Sequence, residues 1–177
     1  MTTICTDGVT IAADGLACLG GQKVAFKDRK IVIDRKHGAI YALSGATAML
    51  PHIMEWHRAG APAESAPKAA APDITWTLLV ITSKSTTLLT SQCAFPSVVD
   101  DRRFAIGSGA DYAMGAMCAG VEPAEAVKIV IENKLDVWSG GEIQVVNIAE
   151  ALGLQCDGKL ANGENRHMAE NVSAVTP

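Results

Sequence analysis

No apolar run in the 177-residue chain approaches the roughly 20 residues that a helix needs to cross a bilayer. The N-terminus also lacks the basic start and apolar stretch of a secretory signal. A membrane partner and export are therefore not expected, and a cytoplasmic location is. Cys-x-x-Cys pairs are absent too. The five cysteines, Cys5, Cys18, Cys93, Cys118 and Cys156, are odd in number and widely scattered, which points to reduced, mostly buried thiols. The histidines His37, His52, His57 and His167 are equally dispersed, and the one close pair is five apart, a spacing that does not stack on a helix face. No metal site is expected. An excess of positive charge is missing as well: 15 Lys and Arg stand against 19 Asp and Glu, for a net charge of -4, so nothing electrostatic favours nucleic acid. There is no internal repeat.

What is present is a globular composition, 49% hydrophobic and 19% charged, of a length that fits one domain with a proper core. Residues 1–154 are expected to form that domain. Residues 155–177 turn polar and rich in Gly and Asn without periodicity, and read as a flexible tail.

The chain opens with a strand over 2–6, a type I′ hairpin turn at Asp7-Gly8 and a returning strand over 9–13. Small residues follow through Gly20-Gly21, then strands over 30–33 and 39–44, and all four of these strands can pair as neighbours in one antiparallel sheet. From Thr47, a candidate N-cap, the period becomes helical through Leu50, Ile53, Met54 and His57, with Pro51 tolerated in the first turn. The stretch 61–73 carries Pro62, Pro67 and Pro72 and reads as a loop or broken helix. An apolar strand over 74–82 and its return over 86–92 form a buried hairpin. After Phe104-Ala105-Ile106, two helices are expected, one carrying Ala113, Met114, Met117 and Cys118 and one opening at Pro123 with Val127, Val130, Ile131 and Leu135 on its apolar face. A last strand covers 143–148. This order implies two stacked antiparallel sheets with helices outside, an α+β sandwich.

Thr2 gives the sequence its chemical interest. Once Met1 is trimmed, one residue carries both a hydroxyl nucleophile and a free amine, whose ordinary pKa of about 7.7 to 8.0 suits a general base near neutral pH. A lysine near such a hydroxyl favours the developing alkoxide and keeps the amine neutral.

Six motifs in order resemble the N-terminal-nucleophile peptidases of the proteasome β-subunit and HslV group. They are Thr2-Thr3-Ile4, Ala12-Ala13-Asp14-Gly15, Asp28-Arg29-Lys30-Ile31, Leu43-Ser44-Gly45-Ala46-Thr47, Gly107-Ser108-Gly109 and Asp136-x-x-Ser139-Gly140-Gly141. The resemblance spans roughly residues 2–148, and its last motif is closer to the proteasome version than to HslV. The stretch 61–73 stands where other members carry a long helix, which is most similar to the small β-proteobacterial proteasome homologue.

The resemblance implies a four-layer αββα sandwich and a threonine peptidase that works without a cofactor. Thr2 would be the nucleophile, Lys30 its electrostatic tuner and Asp14 the carboxylate that holds Lys30. Ser108, Ser139 and Asp136 would orient the α-amine, and the Gly45 N–H would face the oxyanion. Ala17, Asp28, Val32, Leu43 and Thr47 would surround the substrate side chain before the cleaved bond, with Cys18 and Gly45 offering backbone groups to an extended peptide. Peptide or unfolded protein would be the substrate. Homo-oligomeric stacked rings, hexameric or heptameric, would enclose the sites, and an ATPase or other activator could dock on them. A non-catalytic ring scaffold and a small-amide hydrolase are the alternatives.

Overall fold

The structure, a computed structural model, describes residues 2–19, 22–24, 29–62, 67 and 75–154. The expected tail, most of the stretch 61–73 and Asp28 lie outside the described residues.

Strands β1 (Thr3–Thr6) and β2 (Thr10–Ala13) form the opening hairpin. Thr6 pairs with Ile11, which places Gly8 and Val9 at the centre of the turn, one residue later than the sequence pattern predicts. Gly8 adopts φ 83°, but Val9 is not among the positive-φ residues, so a type I′ turn, which needs both, does not form. Asp7 acts instead through its side chain, which accepts from Val9 N at 2.9 Å and Thr10 N at 2.7 Å.

A two-stranded ribbon follows, β3 (Ala17–Leu19) with β4 (Gln22–Val24), in the stretch that the sequence pattern leaves without strands. Strands β5 (Ile31–Asp34) and β6 (Ala39–Gly45) come next. The first four expected strands do not share a sheet. The β1–β2 hairpin lies at the centre of a four-stranded antiparallel sheet of order β10-β1-β2-β11, whereas β5 and β6 begin a five-stranded sheet of order β5-β6-β7-β8-β9. The later strands are β7 (Trp76–Thr82), β8 (Thr86–Thr90), β9 (Cys93–Val99), β10 (Phe104–Gly107) and β11 (Gln144–Asn147). Pro96 makes β9 hard to read as a strand. It is accommodated because β9 is a sheet edge and its register against β8 slips between Leu88 and Thr90.

Helix α1 (Leu50–Arg58) follows a 3-10 turn over Thr47–Met49. Met49, not Thr47, is its N-cap, and no side chain caps it. Helices α2 (Ala110–Cys118) and α3 (Pro123–Glu132) form where the sequence pattern predicts, with Pro123 at the start of α3, but α3 ends at Glu132 and leaves Leu135 outside it and exposed. A short α4 (Ile148–Ala151) adds a final turn.

Alternation along the strands sorts the side chains into three apolar layers. Ile4 and Ile11 from one sheet meet Ile40, Ala42, Leu79 and Ile81 from the other. Tyr41, Leu43, Leu78 and Val80 point the opposite way, onto Ile53, Met54 and Trp56 of α1. Cys5 and Ala12 face Ala113, Met117, Val127 and Val130 of α2 and α3. The result is helix, sheet, sheet, helix, and each strand step reverses the layer that a side chain joins. Asp34 ties α1 to the β5–β6 hairpin, accepting from Arg58 Nε at 2.8 Å and pairing with His37 Nδ1 at 2.9 Å. Among the described residues, no helix is long and apolar enough to cross a membrane.

Candidate active site

The two sheets bring three distant side chains together at one end of the sandwich. Thr2 sits just ahead of β1, Asp14 just past β2 and Lys30 just ahead of β5. All three are withdrawn from water, with residue exposures of 1%, 0% and 1%. The Lys30 ammonium donates to Asp14 Oδ1 at 2.8 Å and also to the Thr2 hydroxyl oxygen. Thr2 Oγ1 in turn donates to Asp14 Oδ1 at 2.5 Å.

Asp14 is the hub. Besides Thr2 and Lys30, its Oδ1 accepts from Thr3 N at 2.8 Å, and its Oδ2 accepts from Gly140 N at 3.0 Å and Leu16 N at 3.2 Å. Five donors thus converge on the carboxylate, three on Oδ1 and two on Oδ2, so neither oxygen is buried without a partner.

A second polar group lies beside it. Ser108 Oγ and Ser139 Oγ both donate to Asp136 Oδ2, at 2.7 and 2.6 Å. Burial pushes the Asp136 carboxyl up, but the hydrogen bonds from Ser139, Ser108 and the Trp138 N–H outweigh it and hold the group below its ordinary value. The link to the first cluster runs through the chain start. Thr3 Oγ1 shares a hydrogen bond with Ser139 Oγ at 2.5 Å, and the Thr2 carbonyl accepts from Gly109 N at 3.4 Å and Ser108 Oγ at 3.5 Å.

Two glycines make this approach feasible. A Cβ at Gly107, whose φ is 98°, would overlap the Thr2 carbonyl oxygen, and one at Gly109 would overlap Thr3 Oγ1. The Gly107-Ser108-Gly109 motif thus lets β10 and the start of α2 press against the chain terminus.

All six residues assigned to catalysis from the sequence lie in these two clusters. Gly45 ends β6 opposite Trp76. Leu43, fully buried, packs in the apolar layer under α1, with Val32 against the same layer. Ala17 lies in β3, and Thr47 opens the 3-10 turn. Cys18 lies in β3 next to Ala17, while Asp28 is outside the described residues. Sequence reasoning missed Thr3, the backbone N–H groups of Leu16 and Gly140, and Gln144, whose side-chain oxygen accepts from Lys30 N at 2.8 Å. Backbone donors carry no residue-type signal. Gln144 does carry one, as a polar side chain just ahead of Val145 and Val146.

Among the described residues, no group of three or more His, Cys, Asp and Glu could hold a metal ion. What the arrangement can do chemically is polarise a hydroxyl: a buried ammonium lies on Thr2 Oγ1, and the hydroxyl donates a hydrogen bond to a buried carboxylate.

No family model matches the chain, and no curated relative matches it. The likeness is three-dimensional. The fold, an α+β sandwich, is similar to those of HslV, BPH and Anbu. HslV from Trypanosoma brucei superposes with a TM-score of 0.61 at 21% identity, over 82% of this chain and 99% of that one. BPH from Thiobacillus denitrificans, in complex with epoxomicin, gives 0.57 at 19% identity, over 84% and 99%. The Anbu Gly-1 mutant from Hyphomicrobium sp. strain MC1 gives 0.57 at 12% identity, over 83% and 81%. At these identities the shared property is the fold.

Proposed function

We propose that this chain is a threonine peptidase subunit that cleaves peptide bonds through an acyl ester on Thr2. The observation that carries the reading is the contact of the buried Lys30 ammonium with the Thr2 hydroxyl, braced by Asp14 at 2.8 Å. Removal of Met1 frees the α-amine, which takes the hydroxyl proton as Thr2 Oγ1 attacks the substrate carbonyl. The Lys30 charge stabilises the alkoxide as it forms, and the Gly45 N–H receives the oxyanion. The amine then delivers its proton to the leaving nitrogen, and water, deprotonated by the same amine, hydrolyses the ester. Ser108, Ser139 and Asp136 hold the amine in place.

The same reading extends to assembly. The chain would form homo-oligomeric stacked rings of six or seven subunits, enclosing peptide or unfolded protein, with an ATPase or other activator at the ring face. Val32, half-buried, would line a pocket that prefers medium aliphatic side chains over acidic ones, and Leu43, fully buried under α1, would back it from the core without reaching substrate. Asp28 would repel acidic side chains and admit Arg or Lys. A second reading, a ring scaffold without turnover, draws on the 1% exposure of Thr2.

The two readings part on one experiment. Intact mass is measured before and after epoxomicin, an epoxyketone that engages both the hydroxyl and the free amine. Loss of Met1 with a stoichiometric adduct, abolished in Thr2→Ala, supports the peptidase. A processed chain that takes no adduct leaves the scaffold.

A further inference from the structure

We infer that Gln144 is a positioning residue, setting the place of the Lys30 ammonium from the opposite sheet. The inference rests on the peptidase reading for its catalytic consequence and on geometry for everything else. Gln144 opens β11, an edge of the four-stranded sheet, and pairs with Ala13, the residue before Asp14. Lys30 precedes β5, an edge of the other sheet. Gln144 Oε1 spans the gap and accepts from two consecutive backbone N–H groups, Lys30 N at 2.8 Å and Ile31 N at 3.3 Å. On the other side the Lys30 carbonyl accepts from Leu43 N at 3.0 Å, which ties the same residue to β6.

The Lys30 backbone is therefore gripped from both sheets, and Gln144 is the grip on the side that carries Asp14. Beside the direct ion pair, a short path from Asp14 to the Lys30 main chain runs through Ala13, its partner Gln144 and one amide oxygen. Without that oxygen the backbone grip from the side of Asp14 is lost, and the ammonium could drift from Thr2 Oγ1 while the ion pair with Asp14 followed it. A displacement of about 1 Å at a reacting group can cost on the order of 100-fold in rate. Side-chain length matters as well as polarity. Asn would withdraw the acceptor by one methylene, Met would fill the volume without accepting, and Glu would keep the acceptor in reach.

The test compares Gln144→Met, Gln144→Asn and Gln144→Glu with the parent, all with Met1 removed, using a peptide epoxyketone and NMR. The Met and Asn variants are expected to acylate about 10- to 100-fold more slowly at saturating probe, with the half-saturating concentration within about twofold of the parent, whereas Glu recovers most of the rate. In the same two variants the Lys30 and Ile31 amides should lose hydrogen-exchange protection and the Lys30 Nζ resonance should move. Should the Met variant fail to fold, the Asn variant gives the same comparison. Parent-like acylation in the Met or Asn variant overturns the inference while the Thr2 reading stands. If the parent takes no probe, the Thr2 reading falls, and the amide protection and Lys30 resonance still decide the role of Gln144: unchanged values overturn it, and changed values support it.

Discussion

Lys30 and Asp14 meet at 2.8 Å where neither side chain reaches water, with side-chain exposures of 2% and 0%. The partners are not equivalent. Lys30→Met leaves Asp14 with Thr2 Oγ1 and the N–H groups of Thr3, Leu16 and Gly140 as donors. Asp14→Ala takes the counter-charge from a buried ammonium, which breaking one side of a buried ion pair puts at about 3 to 5 kcal/mol, and also removes the acceptor of those three N–H groups. Denaturant melts should therefore show Asp14→Ala as clearly less stable than Lys30→Met, although neither variant should acylate. Equal stability would mean that the backbone donors find other partners.

Thiol reactivity should separate the cysteines by layer. Cys5 is fully buried between the first sheet and the α2–α3 pair, and its Sγ donates to the Pro123 carbonyl at 3.3 Å. Burial, assisted by the charge of Asp7, pushes its pKa up to about 12. At pH 8 a disulfide reagent should modify the exposed Cys93 and Cys118 and leave Cys5 untouched until the protein is denatured. Modification of Cys5 in the folded protein would show that this layer opens readily.

Much of this architecture is legible in the sequence because period and chemistry agree. The apolar runs of β6 and β7 express burial on both faces, and the proline at the start of α3 and the apolar spacing of α1 mark helices laid on the sheets. The residues assigned to catalysis are legible for a different reason: a terminal threonine, a lysine and an aspartate have an evident joint use. What escapes is set by tertiary pairing. Nothing local says that β1–β2 and β5–β6 belong to different sheets, since each hairpin is satisfied by either arrangement. The β3–β4 ribbon has strands of only three residues with Gly20-Gly21 between them in the sequence, and Pro96 hides an edge strand. Gln144 escapes because its partners are backbone groups more than a hundred positions away.

The Asp136 cluster makes a pH prediction with a definite sign. Its folded pKa lies below the unfolded value, after hydrogen bonds from Ser139, Ser108 and Trp138 N overcome the opposing effect of burial. A depressed carboxylate contributes stability in full above its unfolded pKa of about 3.9 and loses it as pH falls through the lower folded value. Asp136→Asn should therefore be less stable than the parent at pH 7, with the gap closing in acid as the carboxylate is protonated. Urea melts at neutral and acid pH check this. A gap that persists undiminished in acid would assign the effect to packing instead of charge.

The two glycines of the Gly107-Ser108-Gly109 motif should fail in different ways when given a side chain. A Cβ at 109 would overlap Thr3 Oγ1, the far end of a small side chain, and the next nearest atoms are Val130 Cγ1 at 3.0 Å and Thr3 Cβ at 3.2 Å. A Cβ at 107 would overlap the Thr2 carbonyl oxygen, which is backbone, at a φ of 98° that L-residues rarely adopt. Gly109→Ala should therefore lower the melting temperature and displace Ser139 by way of Thr3, and adding Thr3→Ala should recover part of the loss, because the overlapping oxygen is gone. The same second change should give Gly107→Ala nothing, since no side-chain truncation moves the Thr2 carbonyl. Double-mutant cycles read by thermal melts and epoxyketone labelling measure the difference. Strong coupling is expected for the 109 pair, and simple additivity for the 107 pair. Additivity in both cycles would mean that Thr3 does not mediate between α2 and the chain start.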